Sequence, residues 1–180
     1  MSLNKIVYNV ISVFRNKYSL NTINTIANID DYNIIINNLY LGNINKSMDI
    51  DFLKNNNIQA IVNCTENEPF SPYFNDKLKL RLPINDSKDI GNIDNFKSLL
   101  FDSITFINYC LNNDKRIYIH CYWGLMRSAT LVACYLIKKF NLTPNEAILL
   151  IKEHRPCALP SFYTFNEILT FVYEDKNFKF

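Results

Sequence analysis

The run His120-Cys121-Tyr122-Trp123-Gly124-Leu125-Met126-Arg127-Ser128-Ala129-Thr130 constrains this chain more than any other feature. It joins an apolar, strand-like stretch at 117–119 to a helical pattern running from about Arg127 to Phe140. A turn from a strand into a helix gathers backbone N–H groups at the helix N-terminus, which makes a ready anion site. Gly124, one of only three glycines, falls in mid-turn, where a Cβ would hinder tight curvature or crowd an oxyanion. Cys121 opens the turn among those amides, the helix dipole and Arg127, surroundings that favour a thiolate. Arg127 offers a planar fork for two phosphate oxygens, and Ser128 a hydroxyl donor for the sulfur. Tyr122, Trp123, Leu125 and Met126 complete the anion-binding loop, and His120 before it can orient it through hydrogen bonds. A Cys with an Arg six positions on is by itself a weak pattern, whose bland reading is a buried structural thiol and a surface charge. The added His, Gly and Ser make it specific.

Composition sets the frame around this loop. With 180 residues the chain makes one compact domain. Its 48% hydrophobic and 20% charged content fits a globular protein. Lys plus Arg is 19 against 17 for Asp plus Glu, a net charge of +2, too balanced for a nucleic-acid partner to be read from bulk charge. The five cysteines are scattered without a pairing pattern, so a reducing compartment is expected. Two histidines and no Cys pair leave little to ligate zinc, and neither metal nor organic cofactor is expected. Polar residues interrupt the first twenty positions, so neither a signal-peptide core nor a membrane span forms there. The expected location is the cytoplasm.

Periodicity supplies a coarse order of elements. Leu3, Val7, Val10, Ile11 and Phe14 mark an amphipathic helix, followed by a polar connector to about residue 30. Residues 1–30 thus precede a domain of residues 31–180. Asn37-Asn38 separates two apolar runs and suits a hairpin turn. One helix is expected around Ser47–Asn55, a buried strand at Ala60–Cys64 and a half-exposed strand at Lys77–Leu82. A helical stripe runs from Phe96 to Leu111. Thr143-Pro144-Asn145-Glu146 reads as a capping box with Pro at the first helical position, and that helix stops near Arg155-Pro156. A last helix is expected from near Ser161. The fold class is α/β, with one sheet flanked by helices.

The loop His120–Thr130 resembles the signature loop of the cysteine-dependent protein tyrosine phosphatases, Cys-x5-Arg followed by Ser or Thr. The wider pattern is similar to their small dual-specificity branch, with Asn38–Gly42, Ala60–Thr65 and Leu80–Ser87 matching strands of that family. The resemblance covers about residues 33–172. It implies a central, mostly parallel sheet of about five strands with helices on both sides. It also implies a general acid on a loop thirty-odd residues before the nucleophile, where Leu82-Pro83-Ile84-Asn85-Asp86-Ser87 supplies Asp86; Asp89 and Asp94 are the alternatives. By residue type alone Asp86 is turn chemistry.

The resemblance implies hydrolysis of phosphotyrosine and phosphoserine/threonine in a phosphoprotein through a cysteinyl phosphate. An RNA 5′-triphosphatase and a phosphate-binding pseudophosphatase are the rival readings. Uncharged residues at the loop's variable positions argue against inositol-lipid headgroups. Three further points follow from the likeness. Leu159 stands where the family often carries Asn before Pro160. Cys64 is a small core residue or, as in some relatives, a disulfide partner for an oxidised Cys121. The helix Leu3–Phe14 folds back on its own domain or crosses to a second copy, as in the poxvirus dual-specificity phosphatases that the chain also resembles. Asn and Ile are abundant here, and with Lys, Phe and Tyr they are the residues of AT-rich codons; the source would then be a large DNA virus and the location host cytoplasm or virion.

Overall fold

The computed structural model describes residues 30–87, 89–159, 165–176 and 178. The helix expected at Leu3–Phe14, its connector and any second-copy contact they make lie outside the described residues, as does the expected helix start near Ser161.

Five strands form one sheet: β1 (Tyr32–Ile36), β2 (Leu39–Gly42), β3 (Ile58–Asn63), β4 (Leu78–Arg81) and β5 (Arg116–His120). Their order is β1-β2-β5-β3-β4. The hairpin β1–β2 is antiparallel and every other pairing is parallel. The expected turn at Asn37-Asn38 is present, with Asn38 in the left-handed region at φ 66°. Strand β5 lies in the middle because its residues are buried on both faces, as a parallel strand between two helical layers requires.

Side-chain alternation assigns the faces. Leu39, Leu41, Ala60, Val62, Ile117 and Ile119 enter the larger core. Its helices are α3 (Ile90–Asn112), α4 (Arg127–Phe140), α5 (Pro144–His154) and α6 (Asn166–Glu174). Tyr40, Ile61 and Tyr118 point the other way, into a smaller cluster with Phe52, Leu53 and Phe74. That face carries two short helices, α1 (Ile44–Met48) and α2 (Ile50–Asn55), where one had been expected. The break has a local cause. Asn43 and Asp49 each cap with their side chain, accepting from the N–H of Lys46 and of Phe52, so Asp49 restarts the helix instead of continuing it.

Helix α4 is buried along nearly its whole length, from Arg127 to Ile137, and is the hub of the larger core. Helix α5 begins at the expected capping box, with Thr143 and Glu146 bonding reciprocally. The four parallel strands all finish on one side of the sheet. In an open parallel sheet the crevice outside those carboxyl ends is where ligands bind. The chain leaves β5 directly into the loop that begins at Cys121.

Candidate active site

The loop between β5 and α4 is shaped by what becomes of its carbonyls. His120 O accepts from Cys64 N at 2.7 Å, Tyr122 O from Ile44 N at 3.1 Å and Leu125 O from Leu159 N at 2.9 Å. Cys121 O lies 3.1 Å from His120 Nδ1. Arg155 takes two more, donating from Nη2 to Trp123 O at 3.3 Å and from Nε to Gly124 O at 2.9 Å. Met126 O accepts from the N–H of Thr130 at 2.8 Å and its hydroxyl at 2.9 Å. Every peptide here is trans, so a carbonyl held outward turns the next residue's N–H inward. The amides that follow those carbonyls therefore turn toward the inside of the loop, as the Gly124 N–H does toward the Cys121 sulfur.

Gly124 makes the curvature possible. It sits at φ +68°, and a Cβ there would come within 2.3 Å of the carbonyl oxygen of Gly42. Only glycine fits both the left-handed backbone and that approach.

Cys121 is buried at the base of the loop. Its sulfur accepts two hydrogen bonds, from Gly124 N at 3.3 Å and from Ser128 Oγ at 3.3 Å. Cys64 is buried beside it, and burial first, then the neighbouring Cys121 sulfur, holds the Cys64 thiol well above its usual value, against the pull of Arg127. Cys64 is thus a neutral thiol next to Cys121. His120 is fully buried, and desolvation lowers its pKa to about 4. A neutral imidazole facing a carbonyl must donate, so the proton sits on Nδ1 and Nε2 is left without a partner. It braces the loop and stays out of the cleft.

Arg127 begins α4 and is only 9% exposed. Its Nη1 donates to Ile84 O at 3.2 Å, and its Nη2 lies 3.5 Å from the carboxylate of Asp86. Its Nε has no partner. A guanidinium can donate to an oxyanion with two parallel hydrogen bonds, so this buried nitrogen has donor capacity to spare. Asp86 lies across the cleft with its side chain 43% exposed. Of the three candidate acids it alone lines the cleft with Arg127. Asp89 is the exposed N-cap of α3 and Asp94 is exposed on that helix.

Tyr122 and Trp123 are exposed at the mouth, their rings edge-to-face at 5.1 Å. Both line the cleft. Leu125 and Met126 are half-buried, and Met126 packs on the larger core.

One feature escaped the sequence reading, and one that it named takes a left-handed backbone. Arg155, read only as part of a helix stop, is fully buried and bonds Asp30 O and Asn33 Oδ1 besides the two loop carbonyls. A cation placed just before Pro156 was the only hint. Leu159 adopts φ +50°, the conformation that Asn tolerates better, while its N–H supports Leu125.

The model of the dual specificity phosphatase catalytic domain matches residues 39–174. The chain belongs to that family. Dual specificity protein phosphatase 16 of Homo sapiens is 28% identical over 143 residues, 79% of this chain and 21% of that protein. Dual specificity protein phosphatase 15 of Homo sapiens is 32% identical over 127 residues, 71% of this chain and 41% of that protein. The chain thus spans less than half the length of these curated relatives. Among solved structures, that of DUSP15 matches with a TM-score of 0.67 at 27% identity, over 79% of this chain and 85% of that one. Human DUSP28 shares the fold, with a TM-score of 0.70 at 20% identity over 81% and 94% of the two chains.

Proposed function

We propose that this dual specificity phosphatase domain hydrolyses phosphotyrosine and phosphoserine/threonine in phosphoproteins through a cysteinyl phosphate. The observation that carries the reading is the Cys121 sulfur at the base of the loop, which accepts from Gly124 N and Ser128 Oγ, with the buried, unpartnered Nε of Arg127 at the other end of the same loop. The Cys121 thiolate attacks phosphorus in line, forming the P–S bond as the P–O bond breaks. Asp86 gives its proton to the departing oxygen. In the second step Asp86 takes a proton from water, the water oxygen bonds to phosphorus, and the sulfur leaves as a thiolate, eased by the Ser128 hydroxyl. Loop amides and Arg127 hold the equatorial oxygens throughout, where charge accumulates.

This chemistry draws on the chain's own side chains and calls for no metal or cofactor. Tyr122, Trp123, Leu125 and Met126 carry no cation to match the additional phosphates of an inositol lipid, which favours a phosphoprotein. Residues 31–180 are the catalytic unit in this reading, and 1–30 precede it. Among the described residues no helix is long and apolar enough to cross a membrane. Cytoplasmic location remains the reading that the five free cysteines support.

The test is turnover of a generic aryl phosphate, blocked by vanadate, followed by a panel of phosphotyrosine peptide, phosphothreonine peptide, inositol lipid and triphosphate-ended RNA. Turnover of both peptides above the other two supports the proposal. Turnover of the RNA alone would replace it with the triphosphatase reading, and phosphate binding without turnover with the pseudophosphatase one. Comparing the solution mass of the chain with and without residues 1–20 tests the second-copy contact.

A further inference from the structure

Asp86 lies on an exposed turn, and an exposed turn does not by itself hold a carboxylate at a leaving group. The segment from β4 to α3 contains Pro83, Ile84, Asn85, Asp86 and Ser87 and makes no regular structure. Asn92, in the first turn of α3, holds it. Its Oδ1 accepts from Asn85 N at 2.9 Å, while its Nδ2 donates to Asn85 O at 2.8 Å and to Ser87 O at 3.1 Å. One amide side chain thus clamps the peptide groups on both sides of Asp86. Asn95 Nδ2 adds a bond to Pro83 O at 3.0 Å, farther from the carboxylate.

The helix itself gains no cap from this. Asn92 occupies the third helical position, where a side chain can complete a capping box, yet Asp89 makes no side-chain cap bond. Asn92 turns outward to the acid loop instead. An amide suits the task because it both donates and accepts from one rigid plane, matching the paired N–H and C=O of Asn85. A carboxylate would face two carbonyl oxygens without a donor.

We propose that Asn92 is a positioning residue for the general acid, acting through Asp86 and touching no substrate. The inference rests on the phosphatase reading above. Its consequence is selective. Substrates whose leaving group needs a proton depend on Asn92, and substrates whose leaving group departs unaided do not.

The experiment compares kcat/KM for phenyl phosphate and for 2,4-dinitrophenyl phosphate, since kcat/KM reports the first chemical step in both. In Asn92→Ala the phenyl phosphate value is expected to fall about tenfold or more, part of the ~10²–10⁴ that a general acid supplies. The dinitrophenyl value should change less than about threefold, because that first step needs little help from an acid. The limb of the phenyl phosphate pH profile that reports the protonated acid should flatten. Asn92→Asp, which keeps the acceptor and loses the donors, should give the same signature if Asn92→Ala folds poorly. In an Asp86→Ala background, adding Asn92→Ala should change neither substrate, since a residue acting through another has no effect once that other is gone.

Equal losses on the two substrates, or full additivity with Asp86→Ala, would overturn the positioning role while leaving the phosphatase reading intact. No Cys121-dependent turnover of dinitrophenyl phosphate by the unaltered chain would remove both readings.

Discussion

Residues 120–127 and 83–87 face each other across one cleft, yet they are held in opposite ways. The catalytic loop has its carbonyls fixed by partners from five separate parts of the fold: Ile44, Cys64, Thr130, Arg155 and Leu159. Most of those partners are buried. The acid loop is fastened by the side chains of Asn92, Asn95 and Arg127, and Asn85 reaches across to Glu66 Oε1 at 2.7 Å. The difference suits the two tasks proposed for these loops. Stabilising a phosphoryl group with dipoles works only if those dipoles need no reorganisation during reaction. Delivering a proton needs one carboxylate at one place, and the loop that carries it must also admit substrate.

The largest effect should come from the rigid side. Cys121→Ser leaves the cradle's geometry in place and removes the nucleophile, so turnover of any phosphate monoester should vanish while vanadate still binds. Calorimetric titration with vanadate beside an activity assay reads both quantities, and full activity in this variant would break the comparison at its root. Asp86→Ala acts on the exposed side and should cost about 10²–10⁴ on poor leaving groups. The melting temperature should move little, because Asp86 is exposed and its one contact to Arg127 is long. A large loss of stability in Asp86→Ala would show the acid loop to be as built-in as the catalytic one.

How much of this was legible in the sequence follows the same division. Cys121, Gly124, Arg127 and Ser128 lie within eight residues, so their spacing alone prescribes a turn, a cradle and a clamp. Asp86 became a candidate through family resemblance, because in isolation Asn-Asp-Ser is turn chemistry. Arg155 and Asn92 were missed for one physical reason. Each acts by hydrogen-bonding backbone far from it or on an irregular segment, and neither periodicity nor spacing encodes a backbone acceptor. The hairpin, the helix from Arg127 and the capping box at Thr143 were readable from local turn and cap chemistry. The split into α1 and α2 was readable too, from the caps Asn43 and Asp49 six residues apart, but the apolar positions around them suggested a single helix. With three glycines in all, the chain places Asn at three of the left-handed non-glycine positions, Asn38, Asn57 and Asn141.

Arg155→Met tests whether the buried strap preorganises the catalytic loop. Methionine fills most of the volume but donates nothing, so the Trp123 and Gly124 carbonyls lose the partners that hold them outward. Leaving a buried acceptor unpaired costs about 1–3 kcal/mol, and the Gly124 bond is buried while the Trp123 bond is only partly so, so a loss of about 2–3 kcal/mol in unfolding free energy is expected in denaturant titration. Turnover of dinitrophenyl phosphate should fall as well, which separates this variant from those of the acid loop. Retained turnover at full stability would mean that the remaining carbonyl partners suffice.

The smallest effect concerns His120 and is seen as a pH dependence. Burial keeps its imidazole neutral in the folded chain down to about pH 4, whereas in the unfolded chain it takes a proton near its ordinary value of 6.5. Between those limits the unfolded state binds more protons, so stability falls as pH drops from about 6.5 to about 4 and this contribution levels off below. The window corresponds to a loss on the order of 3 kcal/mol. His120→Asn keeps a donor for the Cys121 carbonyl and does not titrate. The difference in unfolding free energy between the two proteins should therefore narrow in favour of the variant across that window, measured by denaturant melts at pH 7, 6, 5 and 4. A constant difference at all four values would mean that the imidazole accepts its proton in place, with Nε2 reaching an acceptor. The catalytic loop would then be less tightly enclosed than its hydrogen bonds indicate, and the contrast with the acid loop correspondingly weaker.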